Sequence, residues 1–150
     1  MESVQAGAVG GLAAGLAMSL AMAAGRRSGL LHKTLAEDAH DWLDRAAGSR
    51  RLVGQGGTTA LEQANHMAAS AAFGAGYALL GARLPRVPPP LLGALYGAAL
   101  YGMNIIGIAP LLGMTEGEGK APMPVRIERL GLHILYGTLT ALVAEGLGKR

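Results

Sequence analysis

Four long runs of this chain carry no charged residue: 4–25, 63–82, 87–115 and 130–144. About 20 mostly apolar residues in helical form cross the ~30 Å hydrocarbon core of a bilayer. Charged residues make up 15% of the chain, where a soluble domain carries about a quarter. The expected fold is therefore all-α: a polytopic membrane four-helix bundle forming one integral domain over residues 1–150. Phe occurs once, so the packing must rest on Ala, Gly and Leu.

The spacing predicts spanning helices over about 4–24, 60–82, 91–114 and 126–147. In the first, Gly7, Gly11 and Gly15 lie four apart and stack on one face, with Met18 and Met22 beside a second small face. Gly93 and Gly97 repeat that spacing in the third. Apolar side chains gain little by leaving lipid for each other, so close backbone approach over small residues is what joins such helices. The second opens with Glu62, Gln63, Asn65 and His66 and then carries small residues at 60, 64, 68, 72 and 76. No basic segment precedes the first run and Glu2 is acidic, so it reads as a retained span rather than a secretory signal.

Between the first two spans, Thr34-Leu-Ala-Glu37 is a capping box that opens a short helix over 34–47, with Gly48 as its C′ residue. Leu35, Ala39, Trp42, Leu43 and Ala46 share one face, and Glu37, Asp41 and Asp44 the other. This is expected to be an amphipathic interfacial helix, its Trp42 face on lipid or on the bundle end and its acids paired with Arg50, Arg51, Arg126 or Arg129. Residues 48–59 read as a loop, with Thr58 or Thr59 capping the second span. The prolines at 85 and 88–90 make a rigid turn, and Pro110 should kink or end the third span.

The chain divides into two tandem hairpins, 4–83 (with the interfacial helix inserted) and 91–148. Gly7-Ala-Val-Gly-Gly11 matches Gly93-Ala-Leu-Tyr-Gly97, and Glu62, His66 and Ser70 align with Arg129, His133 and Gly137. Parallel repeats of this kind pack about an axis along the membrane normal. The alignment expects His66 and His133 at similar depth and an ion pair between Glu62 and Arg129. Basic residues concentrate in 25–60 and 115–129, which puts loops 25–60 and 115–126 on the cytoplasmic side of the inner (plasma) membrane.

Ionisable groups inside a bilayer are functional candidates by default. His66, His133, Glu62, Arg129 and Asn104 are therefore the candidates for binding or proton relay. The structural alternative is a pair of neutral imidazoles hydrogen-bonded across the bundle, which helix ends tolerate. A metal needs three or four ligands at fixed geometry. Glu62, His66 and His133 supply three only if the helices bring them together, and Glu37-x-x-His40 with Asp41 and Asp44 is short and solvated; no metal or cofactor is expected. The absence of Cys removes disulfides, thiolate metal sites and cysteine nucleophiles. Gly-x-Ser-x-Gly is absent, and Gly54-Gln-Gly-Gly57 lacks the Lys-Ser/Thr pair of a phosphate loop, so no enzyme is expected. A net charge of +3 without an aromatic-interleaved basic patch argues against nucleic acid.

Three segments, His66-x-x-x-Ser70-x-x-x-Gly74-x-x-Tyr77, Gly93-Ala-Leu-Tyr-Gly97 and His133-Ile-Leu-Tyr136-Gly137, resemble the YagU-like and related four-helix bacterial inner-membrane proteins. The resemblance implies an integral membrane protein and supplies no catalytic residues. The expected function is an accessory or structural membrane protein acting through helix–helix contacts, in a homo-oligomer or larger complex, with glycine faces left over from internal packing as its contact surfaces. The alternative is a small transporter or proton-linked channel using His66 and His133.

Overall fold

The computed structural model describes residues 3–29 and 35–148, without the side chains of 35–37 and 40. The Thr34–Glu37 capping box and the Glu37/His40 pair therefore lie outside the described residues. The described chain is helical, with no strand among the described residues. Its elements are α1 (Ser3–Arg27), α2 (Leu35–Ala47), α3 (Ser49–Arg83) and α4 (Pro89–Tyr101), followed by a π-helical segment (Gly102–Ile108) and α5 (Ala109–Leu111). A 3₁₀ turn (Glu118–Lys120) and α6 (Met123–Gly148) complete it.

Three helical stretches are long and apolar enough to cross a membrane: Ser3–Arg27, Pro89–Leu111 and Met123–Gly148. The polar residues at 62, 63, 65 and 66 keep α3 out of that group. Leucines 16, 20, 95 and 142 face outward on the three apolar stretches, while the interior is built from small residues such as Ala6, Ala14 and Ala141.

The helices meet where the glycines lie. A methyl group on Gly7 or Gly11 would run into the carbonyl oxygens of Gly74 and Ser70, and one on Gly15 into the Ser70 side chain. On the other pair, Gly93 and Gly97 lie against the carbonyl oxygens of Gly137 and His133. Gly10 joins the two pairs, lying against Thr140 and Ala144. These contacts run α1 antiparallel to both α3 and α6, and α4 antiparallel to α6. Contacts between α3 and α4 are sparser and aromatic. Tyr96 donates to the Phe73 carbonyl (2.7 Å), Tyr77 to the Pro89 carbonyl (3.3 Å), and the two rings meet edge to face at 5.7 Å.

Residues 48–59 are not the expected loop. Gly48 does end α2 in the left-handed region (φ 60°), its N–H bonded to the Asp44 carbonyl at 2.8 Å. The chain then re-enters helix at Ser49, with Asp44 Oδ1 accepting from the Arg50 N–H at 3.0 Å. The break falls instead at Gly54 (φ 71°, ψ 173°), a conformation glycine adopts without a Cβ penalty. Thr58 and Thr59 do not cap. Their hydroxyls bond back to the carbonyls of Gly54 and Gln55, four residues earlier, and Thr58, fully buried, also reaches Ser49 Oγ.

Pro110 acts one turn before its own position. It has no N–H to donate, and its ring clashes with the carbonyl four residues back. The helix accommodates this by widening: Ala109 N–H bonds to the Asn104 carbonyl, five residues earlier. The helix then closes with Gly113 (φ 70°) at C′. Gly113 N–H bonds to the Pro110 carbonyl and Met114 N–H to the Ala109 carbonyl, the two bonds of a Schellman motif.

Candidate functional site

The C-terminal ends of α1 and α5 and the N-terminal ends of α3 and α6 lie at one end of the molecule, and α2 and residues 112–122 cap it. Trp42 of α2 donates its indole N–H to the Leu112 carbonyl (2.8 Å), so its face rests on the helix ends. Arg50 bonds to Asp41 (3.2 Å) and Asp44 (3.4 Å), as the acidic face of α2 predicts. Arg126 fastens the second half of the cap through the Ala121 and Gly119 carbonyls (2.8 and 2.9 Å).

Arg129 is the centre of this cap. It is 8% exposed, on the inward face of α6, and needs buried counter-charges. Its Nη1 bonds to Glu118 Oε1 at 2.6 Å and its Nη2 to Asp38 Oδ2 at 3.0 Å. Tyr101 donates its hydroxyl to the other Glu118 oxygen at 2.9 Å. One guanidinium thus joins α6, the 3₁₀ turn and α2, and through Glu118 also α4. The expected partner Glu62 is not one of its carboxylates. Glu118 and Asp38 were not singled out from sequence. The usable signal was the arginine itself: an inward Arg on an apolar helix needs a carboxylate, and the 112–122 segment reaches it with Glu116 and Glu118 only.

Beneath the cap is a cavity of about 310 Å³. It brings together all five candidates: Glu62 and His66 from α3, Asn104 from the π segment, and Arg129 and His133 from α6. Met18 and Met22 of α1, Ala39 of α2 and Met114 of the cap complete the outer part, and Phe73, Leu100 and Tyr136 form the floor. The floor is apolar because Tyr136 spends its hydroxyl on the Ser70 carbonyl (2.6 Å). The π segment belongs to the cavity wall, and such segments frequently occur at functional sites.

The two histidines are oriented by backbone. His66 Nε2 lies 3.3 Å from the Gly15 carbonyl oxygen, and His133 Nδ1 lies 2.7 Å from the Arg129 carbonyl oxygen. A carbonyl oxygen only accepts, so the nitrogen facing it carries the proton in each ring. His66 Nδ1 and His133 Nε2 are left for other partners. The Tyr101 ring also meets His133 edge to face at 5.8 Å. The expected equivalence of the two histidines is off by one helical turn. The Gly11 contact falls on Ser70 and the Gly97 contact on His133, so Ser70, not His66, holds the place of His133. The alignment by residue type matched imidazole to imidazole, whereas packing matches carbonyl to glycine.

Among the described residues no three His, Asp or Glu side chains come together as a metal site. The five packing glycines, Gly7, Gly11, Gly15, Gly93 and Gly97, are all occupied by helices of this same chain. No family model, curated protein or solved structure matches the chain.

Proposed function

We propose that this is a multi-pass membrane protein that binds a small solute in the capped cavity and passes it, or protons, across the bilayer. The observation that carries the reading is the convergence of His66, His133, Glu62, Arg129 and Asn104 on one cavity. A cavity of this size with an apolar floor and a few polar groups is the usual form of a small-ligand site. The accessory reading loses its named surfaces, because the glycine faces are used internally. In this reading the second half of α3 is the fourth span of a membrane four-helix bundle, its polar first turns shielded by α1 and the cap. The matched glycine contacts of α1 with α3 and of α4 with α6 support two tandem hairpins. The cap end carries Arg26, Arg27, Arg45, Arg50, Arg51, Lys120 and Arg126, against Arg83 and Arg86 at the other end, and this excess supports a cap on the cytoplasmic side of an inner membrane. Kinship with the YagU-like proteins remains part of the same proposal.

Native mass spectrometry of the protein extracted from its own membrane tests the reading, with Ala69→Phe as the variant that fills the cavity. The expected result is a protomer with a retained small mass that Ala69→Phe lacks. A ligand-free protein held in a defined complex, unchanged by Ala69→Phe, would return the accessory role.

A further inference from the structure

Both cavity histidines are arranged as metal ligands usually are. A metal-binding imidazole commonly donates its other ring N–H to a backbone carbonyl or a carboxylate, which fixes its tautomer. His66 does so to Gly15 and His133 to Arg129, leaving Nδ1 of the first and Nε2 of the second with lone pairs. Hard ligands do not complete a set around them. Thioethers do: Met18 and Met22, four apart on one face of α1, line the same cavity, and Met114 enters from the cap. Thioether ligands select soft cations, Cu(I) foremost. Methionine's three rotatable bonds let the sulfur approach from either residue.

We propose that the cavity is a site for Cu(I), held by His66 Nδ1, His133 Nε2 and the thioethers of Met18 and Met22, with Met114 closing it from the cap. The proposal rests on the cavity being the solute site and names the solute class. It assigns the methionines a task that apolar packing alone does not require, since leucine would fill the same space.

The test is titration of the purified protein in detergent micelles with Cu(I) against a chromophoric chelator, repeated with Ag(I) as the redox-inert stand-in. The expected result is a single bound ion whose X-ray absorption spectrum shows both sulfur and nitrogen neighbours. Met18→Leu combined with Met22→Leu, a volume-conserving change, should weaken binding roughly tenfold or more, on the scale of lost metal-site support. Met103→Leu, exposed and outside the cavity, should leave it unchanged. Binding with nitrogen or oxygen neighbours only, or equal affinity in the double methionine variant, overturns the proposal. So does the absence of Cu(I) and Ag(I) binding in folded protein. A non-metal solute retained by the wild type and lost in Ala69→Phe would then leave the cavity reading standing, and its absence would remove both.

Discussion

Adding one methyl group at Gly137 tests how the helices are joined. An alanine Cβ there would lie 2.7 Å from Gly97 N and 2.9 Å from Gly97 Cα, and closer still to the Gly93 carbonyl oxygen. All three are backbone atoms of α4, which no rotamer change can move. Opening the 2.7 Å approach to the 3.4 Å of ordinary contact already separates α4 from α6 by about 0.7 Å, and the closer Gly93 carbonyl requires more. Overpacking of this kind costs about 1–3 kcal/mol. Alanine's helix preference over glycine offsets about 0.5–1 kcal/mol of that, so Gly137→Ala should destabilise by about 1–2 kcal/mol. Gly131 provides the control on the same helix. A methyl there meets nothing within 4 Å, so Gly131→Ala should stabilise by about 0.5–1 kcal/mol. Unfolding in mixed micelles with rising dodecyl sulfate, followed by circular dichroism, measures both. Equal shifts in the two variants would refute the claim that glycine contact, rather than glycine's chain flexibility, is what matters at 137.

Glu118→Ala leaves Arg129 Nη1 and the Tyr101 hydroxyl without their shared partner. Breaking a buried pair costs about 3–5 kcal/mol, and the lower end is expected because Asp38 stays; the emission of Trp42, the only tryptophan, should shift as the cap loosens. Tyr136→Phe keeps the ring and loses the bond to the Ser70 carbonyl, so unfolding should report a loss of about 0.5–1.5 kcal/mol with the fold intact. Pro110→Ala restores the missing donor, so residues 102–108 should revert toward α-helical hydrogen bonding. Amide hydrogen exchange across that segment would detect the change, and an unchanged pattern would mean that Pro110 does not cause the widening.

Much of this architecture can be read from the chain because glycine spacing is a local property. Gly7, Gly11 and Gly15 declare a close-packed face whatever they meet. Which partner they meet is not local: Ser70 and Gly74 come to them only through the packing of α3 on α1. The segment 48–59 misled because its four glycines at 48, 54, 56 and 57 and its adjacent threonines suit a loop equally well. Helix survives there because the break is confined to Gly54 and the threonine hydroxyls bond backward. Asn104 was legible as a lone amide in an apolar run, but its place in a π-helical wall depends on how the chain relieves Pro110 six residues on. Glu118 was hidden by its surroundings, since Gly117 and Gly119 make a carboxylate look solvated when the fold buries it on Arg129.

Everything proposed for function depends on a cavity that water reaches inside a membrane-embedded protein. The chain has no cysteine, so single cysteines report without background. The decisive measurement is the reaction of Ala69→Cys, Asn104→Cys and Leu95→Cys with a charged, membrane-impermeant methanethiosulfonate applied from each side of sealed vesicles. Ala69 and Asn104 line the cavity, and Leu95, 58% exposed, faces outward on a helix apolar enough to lie in lipid. The first two should react from the capped side and Leu95 from neither. Ala69 and Asn104 as inert as Leu95, or all three equally reactive, would contradict a water-reached cavity within the bilayer.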